Sequence, residues 1–479
     1  MLQKISYNLG IAATSRFIVG AISLVVVGIL TRSLGPAGYG YYNLVFAYLY
    51  IFTSIADLGL YTILVREVSK VDADKERIVA SKIFTLRLVF AVSILILADF
   101  LVLLFPYPPL VKWGVVIASL FSLLSSLTQI LMGVFQKYLR LYLVSAADII
   151  ARACQLALLA AMIYFKAGLL FFVWAVVISE AVHFLLTLAF SRSLVKIKLS
   201  VDLAYWRQVL KTAFPIAASL IFVLIYFKLD TVLLSLMKPA YDVGVYSVAY
   251  KILEVVIFLP AVYVGLVMPL LSRHAFGNRA EFIRTFRKAF NTIAIFALPL
   301  AAYLAVLSDK VVRIVGGGGF AASGPVLKIL SIAILMIFFG NLGGNAIVAL
   351  NLQKKGMWIY LTGAIFNVAA NIVLIPRYSY FAAAWITVAT EILITLWMFR
   401  LIRKEAGTAI DKAVIFKAAV ATVIMLVIMR PFLGNFIWAT VAAVSYFPIL
   451  FLLKGFTKED LQEIVSLKKE PAVPEDIES

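Results

Sequence analysis

Four basic residues lie in stretches of the chain that otherwise consist almost entirely of apolar side chains: Arg16, Arg152, Lys228 and Lys251. A cation in the hydrocarbon of a bilayer costs about 2.5–3.5 kcal/mol on insertion scales, so such residues usually face an aqueous cavity or an anionic partner. Because they occur in both halves of the sequence, they predict a protein that handles an anionic group within the membrane and binds it in a cationic cavity.

Acidic residues in the same stretches supply partners for two of these cations. Lys251 and Glu254 are three residues apart on one helix face and can neutralise each other. Asp148 and Arg152 are four residues apart and can bridge along their own helix. For Arg152, a structural role and a role in substrate binding both remain open.

Other polar residues require partners on other helices. Lys228 and Asp230 are two residues apart, so they point in different directions on a helix and need separate partners. Glu180 and Glu391 have no Lys or Arg three or four residues away, which makes them candidates for proton uptake and ion coupling. His183, three residues after Glu180, either packs against its neighbours or belongs to the same relay.

Composition places these residues in an all-α polytopic membrane protein. A chain of 479 residues that is 64% hydrophobic and 14% charged, with mean hydropathy +1.04, is not a soluble globular protein. Apolar runs of about 20 residues, each long enough to cross a bilayer, recur along it. We predict fourteen transmembrane segments at approximately 10–31, 40–62, 83–105, 113–135, 141–164, 168–190, 212–237, 243–271, 289–308, 325–350, 356–376, 380–402, 413–430 and 434–453.

The distribution of Lys and Arg predicts the orientation. Most of the 43 basic residues fall in alternate connections, which places both termini in the cytoplasm and the protein in the cell (cytoplasmic or inner) membrane. Arg87 is assigned here to the connection before the third segment, because it lies near the predicted start of that segment. The net charge of +19 largely reflects this sorting, so the basic composition does not indicate nucleic-acid binding.

Three motifs recur six segments apart and predict an internal repeat. The pairs are Pro36-Ala37 with Pro239-Ala240, Trp174 and Glu180 with Trp385 and Glu391, and Asp148 and Arg152 with Asn367 and Asn371. Repeats in the same direction predict two six-helix lobes related by an axis along the membrane normal, with a cavity between them. The predicted domains are an N-terminal lobe (1–200), a C-terminal lobe (201–405), an appended helix pair (406–453) and a cytoplasmic tail (454–479).

Two further features limit the function classes. The run from Gly316 to Gly319 is not followed by Lys-Ser or Lys-Thr, so it indicates a loop and not a phosphate-binding P-loop. The single cysteine, Cys154, excludes an internal disulfide and a cysteine-based metal site. No connection is long enough for the catalytic loop of a glycosyltransferase or glycan polymerase, so we do not expect an enzyme.

The chain resembles the polysaccharide-biosynthesis flippases, which are similar to O-antigen flippases and belong to the multidrug, oligosaccharidyl-lipid and polysaccharide (MOP) exporter superfamily. The resemblance rests on LTRSLGPAGYG at 30–40, ADLGL at 56–60, GVY at 244–246, PLLS at 269–272 and VLKIL at 326–330. It implies a flippase that moves a polyprenyl-phosphate- or polyprenyl-pyrophosphate-linked oligosaccharide from the cytoplasmic to the outer leaflet by alternating access. The implied partners are this anionic glycan lipid, membrane lipids and glycan-assembly enzymes, and the implied state is a monomer.

Residue roles also follow from the resemblance. Lipid II flippases of the superfamily have cavity-facing arginines in segments one and eight, which implies cavity positions for Arg16 and Lys251. Their sodium site in segments seven, eleven and twelve implies a metal site formed by Asp230, Asn367, Asn371 and Thr387. Asn371 departs from the pattern because those relatives have an acid at that position.

Coupling and substrate class therefore stay open at this point. Sodium, a proton on Glu391 or Asp230, and the membrane potential alone are competing coupling schemes, and no other cofactor is expected. A cation-coupled multidrug extruder of the MATE type, which shares the fold, is the alternative function.

Overall fold

The computed structural model describes residues 2–57, 59–407 and 411–455, and it leaves out the side chains at 2–17, 73–74, 212 and 214–227. These residues form fifteen α-helices, two short 3-10 turns and no strand. The helices are α1 (Leu2–Asp57), α2 (Leu60–Ser69), α3 (Ala73–Leu104), α4 (Pro109–Lys137), α5 (Leu141–Tyr164), α6 (Leu169–Ser191), α7 (Leu203–Met237), α8 (Ala240–Val256), α9 (Phe258–Gly277), α10 (Arg279–Gly316), α11 (Ser323–Ala349), α12 (Gln353–Ala406), α13 (Lys412–Met429), α14 (Phe436–Ala443) and α15 (Tyr446–Leu452).

The predicted all-helical, multi-pass membrane architecture is confirmed. Ten spans among the described residues are long and apolar enough to cross a bilayer. Large apolar side chains remain exposed on the outside of the bundle, as in Phe100 (60%) and Trp113 (63%), because lipid and not water surrounds them. The count of fourteen crossings and the cytoplasmic position of the termini stay predictions.

Two helices are too long for a single crossing. The 54 residues of α12 would extend about 80 Å at 1.5 Å per residue, more than twice the hydrocarbon thickness. Each long helix contains one non-helical residue that divides it: Gly35 in α1, with φ +65°, and Ser379 in α12, with φ +50°. Pro36 follows the first break and Pro376 precedes the second. Each long helix therefore consists of two segments.

The segments of α1 to α6 and of α8 to α12 form two packed groups, called here the N-terminal half and the C-terminal half. Apolar clusters join α1, α3, α4 and α6 in the first group and α8, α10, α11 and α12 in the second. The helix pair formed by α13 with α14 and α15 packs on α10, where the Tyr446 hydroxyl donates to the Ile295 carbonyl over 2.7 Å.

Helix α7 connects the two halves. Its first turns, with Trp206 and Val209, pack in a cluster with α2, α3 and α4. Asp202 caps its N-terminus, and the ammonium of Lys82 in α3 lies 2.6 Å from the Asp202 carboxylate. The hydrogen bond from Lys82 lowers the pKa of Asp202. The boundary predicted at residue 200 therefore precedes a helix that contacts both halves.

The two halves meet most closely near the Pro36 and Pro239 turns. A Cβ atom on Gly40 would lie 1.9 Å from the Ala240 carbonyl oxygen, and one on Gly244 would lie 1.9 Å from the Pro36 carbonyl oxygen. Only glycine permits this approach of two helix backbones. The contact is reciprocal, as expected for two equivalent repeats. We call this end of the bundle, which the charge pattern predicts to face away from the cytoplasm, the outer end.

Helix ends give a second view of the repeat. Residues with positive φ end equivalent helices: Leu139 (+53°) and Asn351 (+54°) precede the fifth and eleventh segments, and Lys166 (+48°) and Ser379 (+50°) follow them. Across the fifth and eleventh segments, 212 or 213 residues therefore separate equivalent positions (351 less 139, 379 less 166). The separation between the two Trp–Glu motifs agrees with this value to within two residues. The proposed match of Asp148 with Asn367 does not fit, because those positions are 219 apart.

Candidate functional site

Three charged side chains from α7 and α8 form one cluster, which we call the cationic cluster: Lys228, Lys251 and Glu254. The Lys251 ammonium lies 3.0 Å from Glu254 Oε2, and Lys228 pairs with Glu254 Oε1. Two cations share one carboxylate, so the cluster carries a net charge of +1. The three side chains keep 23–33% of their surface exposed, so the cluster is only partly buried.

Aromatic rings extend the cationic cluster to the other half. The Lys228 ammonium lies 5.3 Å from the ring centroid of Tyr250 and 5.6 Å from that of Tyr50 in α1. Both distances are within the range of a cation–π contact. The cluster therefore lies where α1, α7 and α8 meet, between the N-terminal and C-terminal halves.

A second cluster, the Asp230 cluster, is buried in the C-terminal half. Asp230 Oδ1 accepts a hydrogen bond from Asn371 Nδ2 at 2.8 Å, and Oδ2 accepts from the Thr387 hydroxyl at 2.9 Å and the Tyr246 hydroxyl at 3.2 Å. Asn367 joins it through its carbonyl and amide oxygens, 2.9 and 3.1 Å from Asn371 Nδ2. The structure thus brings together all four residues that the resemblance implied for a sodium site.

The oxygens of the Asp230 cluster outnumber its donors. Asn371 Nδ2 has two hydrogens but lies within 3.1 Å of three oxygens, one from Asp230 and two from Asn367. Asn371 Oδ1 is buried and has no hydrogen-bond partner among the described residues. A buried acceptor left without a partner costs about 1–3 kcal/mol. These oxygens could instead coordinate a small hard cation, whose preferred ligands are carboxylate, amide, hydroxyl and carbonyl oxygens.

Glu391 lies one turn beyond Thr387 on α12 and is 4% exposed. No hydrogen bond or ion pair links its carboxylate to another described residue. Neither its own helix nor the described part of the surrounding helices therefore supplies a basic partner. Glu391 stays a candidate for proton coupling.

Glu180 has a different environment from Glu391. His183 Nδ1 lies 3.4 Å from Glu180 Oε1, so the two residues form a pair on one face of α6. His183 Nε2 is buried and has no partner among the described residues. A shared proton relay of His183 and Glu180 stays a prediction. The pair lies in the N-terminal half, apart from the Asp230 cluster.

Of the two other predicted cations, the structure describes the side chain of Arg152. Arg152 on α5 pairs with Asp148 over 3.3 Å and donates to Gln155 Oε1 over 2.9 Å. The structure therefore contains the ion pair between Asp148 and Arg152 along one helix. Arg16 lies in the part of α1 whose side chains are outside the described residues.

Sequence reasoning misplaced Arg87. Helix α3 begins at Ala73, ten residues before the predicted segment, so Arg87 lies well inside the helix and is 1% exposed. Its guanidinium donates to Ser126 Oγ at 2.6 Å and Gln129 Oε1 at 3.0 Å. The assignment of Arg87 to a loop is therefore wrong. The signal that could have found it is the amphipathic start of α3, which a hydropathy window cuts off.

Arg87 holds the end of α1. It pairs with Asp57 at 2.6 Å and donates to the Ala56 carbonyl at 2.8 Å. These partners are the last residues of α1, just before Gly59 takes φ +68° at the start of α2. The buried cation thus binds the carbonyl end of one helix and a carboxylate beside it.

Known proteins resemble this chain in sequence and in fold. The model of the family described as polysaccharide biosynthesis protein matches residues 5–275, more than half of the 479 residues. The chain belongs to this family. A curated relative, an uncharacterised membrane protein of Methanocaldococcus jannaschii, is 27% identical over 114 residues; the match covers 24% of this chain and only 22% of that relative's length.

Solved structures share the fold of this polysaccharide biosynthesis protein. The lipid II flippase MurJ in an inward closed conformation superposes with TM-score 0.79 at 14% identity, over 94% of this chain and 99% of MurJ. An inward-facing MATE family multidrug transporter of the MOP superfamily gives 0.63 at 14% identity, over 83% and 99%. A MOP superfamily transporter from Pyrococcus furiosus, described as having a binding pocket of reverse polarity, gives 0.62 at 14% identity, over 84% and 98%. These solved structures are described as a flippase and as transporters, and at 14% identity they show that this chain shares their fold.

Proposed function

We propose that this protein is a flippase of the cytoplasmic membrane that moves a polyprenyl-phosphate- or polyprenyl-pyrophosphate-linked oligosaccharide to the outer leaflet. The observation that carries the proposal is the cationic cluster, whose excess positive charge lies between the two halves of a chain from a polysaccharide biosynthesis family. The glycan lipid is anionic at its phosphate groups and neutral along its tail. The site and the lipid have complementary charge.

The cationic cluster would bind the head group through its two ammonium groups. Glu254 holds Lys228 and Lys251 near each other, and its own charge is outweighed by theirs. An incoming phosphate would make charge-assisted hydrogen bonds with both ammonium groups, which offsets the loss of its hydration. Arg16 on α1 and Arg152 on α5 are further candidates for the path of the head group.

The tail of the substrate can remain in lipid beside the helix pair of α13 to α15. A cavity of about 450 Å³ lies between this pair, α9 and α10, and Leu259, Phe296, Met425 and Phe447 are among its apolar lining residues. An isoprenoid chain is apolar along its whole length, so this surface suits it better than it suits a sugar.

The movement would be an alternation of the two halves about the substrate. The Gly40–Gly244 contact closes the outer end in this structure, so the state described is closed on that side. Release to the outer leaflet requires that contact to separate.

The Asp230 cluster would couple this movement to sodium. The ion would be held by Asp230, Asn367, Asn371 and Thr387. Bound Na⁺ would draw α7 and α12 together, because it would neutralise the carboxylate and be coordinated by oxygens from both helices. A proton on Asp230 or Glu391 is the competing scheme, and the membrane potential alone is the third. The protein would act as a monomer, alongside glycan-assembly enzymes.

Ligand binding separates this function from its alternative. A multidrug extruder of the MATE type is the second candidate, because a MATE transporter shares the fold over 83% of the chain. We expect purified protein to bind a polyprenyl-pyrophosphate oligosaccharide and not tetraphenylphosphonium, an organic cation that two lysines repel. If the protein binds the organic cation and does not bind the glycan lipid, its proposed function is that of a multidrug extruder and not a flippase.

A further inference from the structure

A cleft at the outer end has no part in the path proposed above. It has a volume of about 840 Å³, within the range of about 300–1,000 Å³ that is usual for ligand sites. Its walls come from α1, from the α5–α6 turn and from the end of α10, so it lies between the two halves. The lining residues are Leu24, Val25, Gly28, Ile29, Arg32, Ser33, Met162, Ile163, Lys166, Ala167, Phe172, Ile314 and Val315.

The charge of the cleft is one-sided. Its lining includes two cations, Arg32 and Lys166, and no carboxylate. Neither cation forms an ion pair with a described residue. The other lining side chains are almost all aliphatic or aromatic. An apolar groove with uncompensated positive charge at the end of a transmembrane bundle has the shape and charge of a phospholipid site.

Arg32 connects the two halves across this cleft. Its NH1 group donates to the carbonyls of Gly28 at 2.8 Å and Val315 at 3.1 Å, and NH2 donates to the Ile314 carbonyl at 2.8 Å. The last two acceptors are carbonyls in the last turn of α10, where the helix dipole favours a cation. These bonds fix the position of the guanidinium.

One edge of the Arg32 guanidinium remains available. Three of its five N–H donors are used by the carbonyls, and Nε has no hydrogen-bond partner among the described residues. Nε–H can therefore donate a charge-assisted hydrogen bond to a phosphate oxygen. The bonds to the carbonyls hold this free edge in a fixed orientation.

The glycine run leaves space beside this edge. A Cβ atom on Gly317 would lie 3.8 Å from Arg32 Nε and 3.4 Å from its Cγ, so any longer side chain would compete for the same space. Gly317 has φ +83°, which itself favours glycine. Around Gly318 a Cβ atom would meet nothing within 4 Å. The run from Gly316 to Gly319, which does not form a P-loop, thus keeps the approach to Arg32 open.

We propose that this cleft binds the phosphate head group of an outer-leaflet glycerophospholipid, with the phosphate between Arg32 and Lys166 and one acyl chain along Leu24, Ile29 and Ile163. The bound lipid would contact α1, α5 and α10 at once. It would therefore favour the state in which the outer end is closed, because separation of the halves would divide its binding site.

Lipid binding by the purified full chain tests the site without any transport step. Native mass spectrometry would measure the apparent Kd for dioleoyl phosphatidylglycerol and for a dioleoyl galactolipid that has no phosphate. We expect the phospholipid to bind at least about tenfold more tightly, which corresponds to ~1.4 kcal/mol. Excess inorganic phosphate should not displace it, because the acyl chain supplies part of the binding.

Matched variants identify the cations. Lys166→Gln keeps the Arg32 bonds intact and should weaken phosphatidylglycerol binding about tenfold, as should Arg32→Gln. Lys112→Gln is the control, because Lys112 also lies at the outer end and donates to a carbonyl, that of Leu103 at 2.9 Å, but lies outside the cleft. Equal affinity for the two lipids, displacement by inorganic phosphate, or equal binding by Lys166→Gln and Lys112→Gln would each overturn the proposal. The flippase proposal would be unaffected by any of these results.

Discussion

At the residue scale, the cations within the bundle differ in how fully they are paired, and the difference separates structural residues from candidate binding residues. Arg87 is enclosed by a carboxylate, a carbonyl and two side-chain oxygens, so it has no capacity for a substrate. Lys228 and Lys251 share a single carboxylate and remain partly exposed. A buried cation that is fully paired supports the fold, whereas the surplus charge of the second group can bind an anion.

Replacement of Arg87 by Leu should destabilise the protein. The variant leaves the buried Oδ1 atom of Asp57 without its cationic partner, and loss of one partner of a buried pair typically costs about 3–5 kcal/mol. The thermal unfolding midpoint of the purified variant in detergent should fall, whereas Arg66→Leu, which removes an exposed pair with Glu67, should change it little. A midpoint for Arg87→Leu equal to that of the wild type would show that the buried pair is not needed.

Replacement of Asn371 by Leu should abolish sodium binding. The change removes the orphan oxygen and the contact with Asp230 in one step. Isothermal titration with NaCl against choline chloride should detect an ion in the wild type and none in the variant. Gln155→Leu, which removes a buried amide from the other half, is the control. Sodium binding that survives Asn371→Leu would remove the Asp230 cluster from the coupling scheme.

The sequence predicted the pairs along one helix but not those between helices. Spacing of three residues identified Lys251 with Glu254, and spacing of four identified Asp148 with Arg152. The pair of Lys228 with Glu254 joins positions 26 apart, and no local pattern indicates it. The convergence at Asp230 was expected only through family resemblance, since helix packing determines which faces meet.

At the scale of helices, the closest described approach of the two halves is the contact of α1 with α8. Gly40 and Gly244 allow the two backbones to touch, and each faces a carbonyl of the opposite helix. The repeat of Pro36-Ala37 at Pro239-Ala240 anticipated that these turns are equivalent. The sequence could not show that they meet, because glycine is common in membrane helices for several reasons.

Replacement of Gly244 by Ala should open the outer end. The new Cβ would lie 1.9 Å from the Pro36 carbonyl oxygen, whereas real Cβ contacts are not shorter than 3.0 Å, so the backbones must separate by about 1 Å or more. Spin labels at Lys112→Cys and Lys310→Cys, in a Cys154→Ser background, should report longer distances by pulsed electron resonance.

Gly265→Ala is the control for this change, since a Cβ there meets nothing within 4 Å. It should leave the distance distribution unchanged. The same distribution in Gly244→Ala as in the wild type would show that the α1–α8 contact does not hold the outer end closed.

At the scale of the whole molecule, charge and apolar surface divide between two roles. The outside of the bundle is apolar because it faces lipid, and the polar clusters lie between or within the two halves. The sequence predicted this division and the helical class because hydropathy and charge act locally along each segment. The sequence predicted the ends of the segments less well, since α3 begins at Ala73, ten residues before its apolar run.

The central claim is that the cationic cluster moves an anionic glycan lipid across the membrane. The direct test uses liposomes that contain the protein and a labelled polyprenyl-pyrophosphate oligosaccharide. It measures the fraction of the labelled lipid that is protected from a reagent added outside, with and without sodium and pH gradients. We expect movement by the wild type, a loss of about tenfold or more in Lys228→Ala and Lys251→Ala, and no loss in the control Lys112→Ala. A tenfold loss corresponds to ~1.4 kcal/mol of interaction. No movement above that of empty liposomes, or equal movement by the cluster variants and the wild type, would contradict it.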